Sequence, residues 1–416
     1  MKESTLHYLF NSKKLGADFI TSENLNLEVI DFGELNKNAG PDFLNAKLKL
    51  EDKIWAGHIE FHLKSSDWYK HNHQFDPAYE NVIAHFVLEH DQEVESGQYV
   101  LPVVELKKMV DLEEVRNYEN FINAKSWIPC EAQIKSVSED IGQRQIEICA
   151  DERLERKAAE ILQLLRDFKG DQLKTILFLV AKTLGGKVNS DAFQSLISKI
   201  DIEMLARLNF ESNKIQALFH GLSGLLPKNS EDEYVNQLIQ EFNFQTNMFN
   251  LQALSPKEWK FSSMHPAGNP TFRIMQLGEM AALMTSSSSY NASFLGQLKH
   301  VQPNNYWTTH FNFNKETKPK KVQFTEDLLD RIRINVFAPF LWAKAIKERN
   351  EDVKKEALLL ISNSKAEKNN IISKWKNLGL HPSSAKDSQG LIELKNEYCS
   401  RKKCLFCGIG KSLLNK

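Results

Sequence analysis

The chain has 416 residues, 42% of them hydrophobic, and a formal net charge of −1 at pH 7. That length calls for two or three domains with real cores, and the composition is that of a soluble globular protein. No apolar run reaches the ~18 residues of a membrane-spanning helix, and Met1-Lys2-Glu3-Ser4-Thr5 lacks the basic and apolar parts of a secretory signal. The expected compartment is therefore the cytoplasm, with no membrane partner and with five reduced cysteines. The charge is unevenly spread. Residues 1–130 carry 13 Lys and Arg against 22 Asp and Glu, a balance of −9, whereas residues 315–416 carry 22 against 12, a balance of +10. The basic C-terminal part suits a nucleic acid or an acidic partner. A solvated helical surface facing an acidic N-terminal domain accounts for it equally well.

In chain order, Glu3–Lys14 reads as a helix with Leu6, Leu9 and Phe10 on one face. Leu25–Phe32 is a strand candidate. Leu44, Ala46, Leu48 and Leu50 alternate with Asn45, Lys47 and Lys49, the pattern of a half-buried strand. Glu51-Asp52-Lys53 is a turn, and Ile54–Leu63 returns as the partner strand. Asn81–Leu88 is almost continuously apolar, as a central strand would be. Tyr99–Leu106 suits an edge position, because Pro102 lacks a ladder donor. After about residue 111 the pattern turns helical: Ile141–Phe168, Leu173–Leu184, Asp191–Ile200, Asp232–Phe242, Arg273–Leu283, Phe324–Asn350 and Ala366–Leu378. Loops are expected at Gly185-Gly186, Leu226-Pro227-Lys228, His265–Thr271 and the serine run Ser286–Ser289. Cys149 reads as a buried helical residue. The domains divide at 1–110 and 111–416.

Side chains two apart on a strand share a face, so His58, Glu60 and His62 point one way, and Ile59, Phe61 and Leu63 form the core face. If the hairpin pairs as expected, Asp42, on the Gly40-Pro41 turn, lies beside Glu60. A carboxylate pair there could hold Mg²⁺ or Mn²⁺. The ion would activate a water, with His62 orienting that water or acting as a base. The plainer alternative makes Glu60 and His62 surface residues of a solvated sheet face. His71 and His73, one residue apart, are candidate ligands for Zn²⁺ or a related metal.

Near the C-terminus, Cys399, Cys404 and Cys407 have the spacing C-x4-C-x2-C. Thiolates so spaced suit Zn²⁺ or an iron–sulfur cluster. Cys130 is the candidate fourth ligand, and around a single Zn²⁺ the sulfurs would lie about 4 Å apart.

The Pro41-Asp42 turn, the hairpin and the Glu60-Phe61-His62 strand resemble the PD-(D/E)XK nuclease superfamily. The resemblance covers about residues 1–110. It implies a metal held by Asp42 and Glu60, with Glu34 as the additional helical acid and His62 where the superfamily has Lys. The whole chain resembles a bacterial family catalogued as domain of unknown function 2851. That resemblance rests on Gly40-Pro41-Asp42-Phe43, Asp67-Trp68, His71-x-His73, Asn81-Val82-Ile83, the run from His265 to Arg273, Asp387-Ser388-Gln389-Gly390 and Leu394 to Cys399. It brings no activity with it. Met264-His265-Pro266 departs from its pattern, where an Arg before the Pro is expected. The expected fold class is α+β: an N-terminal nuclease-like α/β domain with a mixed sheet, then a mainly helical domain ending in the cysteine cluster. The expected function is metal-dependent nuclease or phosphodiesterase chemistry, with Arg273 and the basic C-terminal region on phosphates. The rivals are a non-catalytic nucleic-acid- or protein-binding scaffold in which the cysteines are a structural staple, and a His/carboxylate site for another hydrolysis.

Overall fold

The computed structural model describes every residue except 37, 98, 262–265, 286–291 and 415–416, and the side chains of all described residues except 266, 285, 292 and 293. The serine run and the Met264-His265 departure therefore lie outside the described residues. The chain forms two compact units. The first comprises Met1–Ile148, Asn370–His381 and Leu391–Lys416, and the second Cys149–Asn369 and Pro382–Gly390. A single boundary at 110/111 does not describe this division. Cys404, Leu405 and Leu414 share one hydrophobic core with the N-terminal strands, so the C-terminal segment belongs with the sheet.

The first unit begins with α1 (Glu3–Asn11). The strands β1 (Asp18–Ile20), β2 (Asn26–Asp31), β3 (Glu34–Leu35), β4 (Phe43–Leu50) and β5 (Lys53–Lys64) come after it. Next are a short helix α2 (Asp67–Lys70), β6 (Val82–Glu89), the small hairpin β7 (Glu95–Ser96) and β8 (Tyr99–Val100), and β9 (Val103–Glu105). The seven-stranded sheet has the order β1-β2-β4-β5-β6-β9, with β3 also pairing β4. The strands from β1 to β5 pair antiparallel, whereas β5–β6 and β6–β9 are parallel. The mixed sheet and the helices around and after it make the fold α+β, as the alternation pattern implied. The β4–β5 turn falls at Glu51-Asp52, with Leu50 opposite Lys53. Pro102 separates β8 from β9, and β9 takes the sheet edge.

One face of the sheet carries an aromatic core. Phe10 of α1 lies with its ring 4.9 Å from Phe43, 5.1 Å from Phe61 and 5.2 Å from Phe86. Burying each of these rings stabilises the unit by about 1.5–3 kcal/mol. The other face is closed near β5 by the crossover between β5 and β6. Parallel strands cannot be joined by a tight turn, so this connection has to travel over the sheet. It does so through α2 and two 3₁₀ turns, His73–Phe75 and Pro77–Tyr79. Glu60 and His62 lie beneath it, only 5% and 1% exposed, so the solvated-face alternative fails at both.

The second unit is helical. Gln172–Ser198 runs as one helix interrupted at Gly186, where a loop was expected. The expected helix Phe324–Asn350 is divided into Glu326–Ile332, a π turn at Arg333–Phe337 and Ala338–Glu348. Pro339 accounts for the interruption, because it has no N–H to donate and its ring displaces the preceding carbonyl.

Candidate metal centre

The site is assembled from α1, the β4 entrance, β5 and the crossover. Asn36 shapes the turn before β4: its Nδ2 donates to the carbonyls of Pro41 (2.9 Å) and Ala39 (3.2 Å), and its amide donates to the Asp42 carbonyl at 2.7 Å. Asp42 is thereby set opposite Glu60. The Asp42 amide donates to Glu60 Oε2 at 3.1 Å, and the Phe61 amide donates to Asp42 Oδ2 at 2.9 Å. This reciprocal clasp holds both carboxyl groups at the junction of two strands.

His71 and His73 come over Glu60 from the crossover. One ligand atom each from His62, His71 and His73 forms a group with all three atoms within 4.8 Å of one another. His62 Nε2 lies 3.0 Å from His71 Nδ1, and Glu60 Oε1 lies 3.7 Å from His62 Nε2 and 3.6 Å from His73 Nε2. His73 Nε2 is buried without a hydrogen-bond partner. The ring of His73 is stacked on Tyr79 at 3.8 Å and meets Trp68 edge-on at 5.4 Å. Behind the trio, His62 Nδ1 is 2.8 Å from Nε2 of the fully buried His85. His71 is exposed and Asp42 partly so, which leaves the site open to solvent on that side.

The electrostatics favour a cation at the histidines, whereas Glu60 holds a proton at neutral pH that the cation would have to displace. Burial, then the Asp42 charge, pushes the Glu60 carboxyl up to about 9, the Glu3 charge adding to this and the Asp42 amide bond offsetting part of it. Burial, then neighbouring His73 and His71, brings His62 down to about 4. His73 is lowered by burial and then by His71, and His85 is held well below the usual histidine range by burial and then His62. Neutral imidazoles are the ligating form, so a cation need not compete with protons on His62 or His73 at neutral pH. A donor set of three imidazoles and one carboxylate fits Zn²⁺, Mn²⁺ or Fe²⁺ better than Mg²⁺, which favours oxygen ligands. The orphaned His73 nitrogen facing Glu60 is consistent with that fit.

Of the acids expected here, Glu34 is not in the site. It lies exposed on β3, paired with Leu44 at the side of the sheet. An acid that does approach Asp42 is Glu3 of α1, half-buried, with its pKa raised by burial and then by the Asp42 charge. One turn further along the same helix, His7 Nε2 lies 3.2 Å from Asp42 Oδ2, off the line of a hydrogen bond. The i, i+4 spacing of Glu3 and His7 beside the apolar stripe was the available signal for both. Arg273 belongs to the second unit, where its guanidinium donates to Gln276 Oε1 at 2.7 Å and is brought down to about 10 by burial and then Arg331. Cys130, Cys399, Cys404 and Cys407 all belong to the first unit, and all are free thiols. Cys149 is buried on a helix, as expected.

A family model described as protein of unknown function (DUF2851) matches residues 3–370. No curated protein and no solved structure matches the chain.

Proposed function

The chain belongs to the DUF2851 family, which carries no assigned activity, and we propose from the geometry of its site that the first unit is a metal-dependent hydrolase acting on phosphodiesters. The observation that carries this reading is the convergence of His62, His71 and His73 on the buried carboxyl of Glu60. These four residues would hold one divalent cation. Such an ion lowers the pKa of a coordinated water and polarises a phosphoryl oxygen.

The chain's own groups supply the rest. Asp42, fixed by the Phe61 amide, presents its remaining carboxylate capacity beside Glu60 and is placed to orient the attacking water. His7, against Asp42, is placed to take up the proton that the water loses. Glu3 adds a third carboxyl from α1. A strand-entry Asp, a Glu on the next strand and a Glu on the preceding helix support phosphodiester over other hydrolyses, because that is the nuclease-like arrangement. The acidic N-terminal part disfavours a polyanion. Against this, the segments 370–381 and 391–416, which join the same unit, bring eight Lys and Arg with only two Glu.

The test is hydrolysis by the full chain, loaded separately with Mn²⁺ and Zn²⁺, of bis(p-nitrophenyl) phosphate and of single-stranded, double-stranded and structured nucleic acids. We expect metal-dependent turnover that Glu60→Gln and His73→Ala both abolish. Full metal occupancy with no cleavage of any phosphodiester would overturn the hydrolase reading in favour of a metal-binding scaffold.

A further inference from the structure

We propose that Cys130, Cys399, Cys404 and Cys407 form a four-thiolate metal centre that fastens the C-terminal segment to the sheet-bearing unit. The inference is independent of the histidine site and of the hydrolase reading. It begins with the local fold. Leu394–Cys399 is a π turn ending on Cys399, and Cys404–Phe406 is a 3₁₀ turn whose carbonyl at Cys404 accepts from the Cys407 amide at 3.2 Å. The chain then folds back so tightly that a Cβ on Gly410 would lie 2.3 Å from the Cys404 carbonyl oxygen. No residue but glycine fits there. This places the amides of Ile409 and Gly410 on the Cys407 sulfur, which accepts from both. Burial raises the Cys407 thiol, and the two amides aimed at its sulfur offset part of that rise, because a charged acceptor gains more from each bond than a neutral one.

Cys130 is brought to the same place by separate contacts. Trp127, three residues before it, has its ring 5.4 Å from the ammonium of Lys395, on the turn that delivers Cys399. Pro129, Ala132 and Gln133 line a single cavity of about 600 Å³ with Leu413 and Leu414. Burial pushes Cys130 and Cys404 each up to about 12, with Cys407 the next cause in both. Cys399 is also raised by burial, then by Cys407, Cys130 and Cys404. Lys395, Lys402 and Lys411 act in the opposite direction on Cys399, Cys404 and Cys407 respectively, and would offset the charge of bound thiolates.

Buried cysteines also serve as small apolar core residues. Three buried thiols and the half-buried Cys399 in one unit, one with two amide donors and three with lysines nearby, exceed what packing requires. The four sulfurs are not among the groups with all ligand atoms within 4.8 Å, among the described residues. A single Zn²⁺ would therefore draw them in to about 4 Å separations. A 4Fe–4S cluster ligates each thiolate through a different iron and accepts a wider spread.

The experiment is metal and acid-labile sulfide analysis of the full chain purified without oxygen, with its absorption spectrum. We expect either one zinc per chain with no visible absorbance, or iron with matching sulfide and a visible charge-transfer band. Cys404→Ser/Cys407→Ser should remove that metal, whereas His71→Ala should leave it. To keep the test independent of whether the double variant folds, the native protein is also titrated with a mercurial thiol reagent, which should release the metal in step with modification of four thiols. Freely reactive thiols with no metal released, or a metal content indifferent to the cysteine variant, would overturn the proposal.

Discussion

His85 stands directly behind His62: the two rings meet Nδ1 to Nε2 at 2.8 Å, nearly perpendicular, on adjacent parallel strands. If His62 donates from Nδ1, its Nε2 lone pair is turned toward His71, His73 and Glu60. In that tautomer His85 would support His62 from behind, without touching the ion that the three histidines are proposed to hold. We expect His85→Phe to weaken metal binding by about 10–100-fold, as loss of such a supporting partner commonly does. Competition with a chromogenic chelator measures it, and an unchanged affinity would remove His85 from the site.

Glu60 should make the metal-free protein sensitive to alkali. Its carboxyl is raised from 4.5 to about 9, so between those values the folded chain holds a proton that the unfolded chain has released. Stability is then fully present below about 4.5, declines as pH rises, and levels off above about 9. In chelator-treated protein, Glu60→Gln should flatten this slope while costing little at neutral pH, because a neutral amide replaces a neutral carboxyl. Thermal melts across that window, with and without the substitution, give the answer.

Glu3 and Glu34 offer a paired comparison. Glu3→Gln should reduce metal-dependent turnover by about tenfold or more, in the range of groups that support a metal ligand. Glu34→Gln, on the exposed β3, should change neither turnover nor metal affinity. Equal effects would contradict the assignment of α1 as the source of the third acid.

Phe61 separates the aromatic core from the site: its ring is in the Phe10–Phe86 cluster, and its amide holds Asp42. Phe61→Ala should cost about 3–5 kcal/mol of stability by chemical denaturation, as deletion of a buried ring does. Phe61→Leu keeps most of the volume and the same amide, so it should retain metal binding.

The strands were legible because their alternation is regular: Leu44 to Leu50 and Ile54 to Leu63 announced a hairpin, and the parity of Glu60 and His62 came with it. His71 and His73 could be noticed but not placed, since nothing local says that β6 pairs parallel to β5 and sends the crossover over Glu60. Glu3 and His7 were missed for a related reason. Their helix meets the β4–β5 junction only through tertiary packing, some 35 residues and more along the chain from Asp42. Glu34 sits after a glycine and carries the right charge, but it lies at the side of the sheet. Pro339 was visible in the sequence, and the π turn it provokes was within reach of that observation.

The division of the first unit has a consequence in time. Its sheet is encoded before residue 106 and its last core residue, Leu414, lies near the other end of the chain. A nascent chain therefore emerges with its aromatic strands made and part of their covering still unsynthesised. The second unit, encoded mostly between, can close first, reversing the usual order in which an N-terminal domain folds ahead of its C-terminal neighbour. The sheet's core cannot be completed until the segment that carries Leu405 and Leu414 has been made, so its aromatic strands stay partly uncovered for that interval.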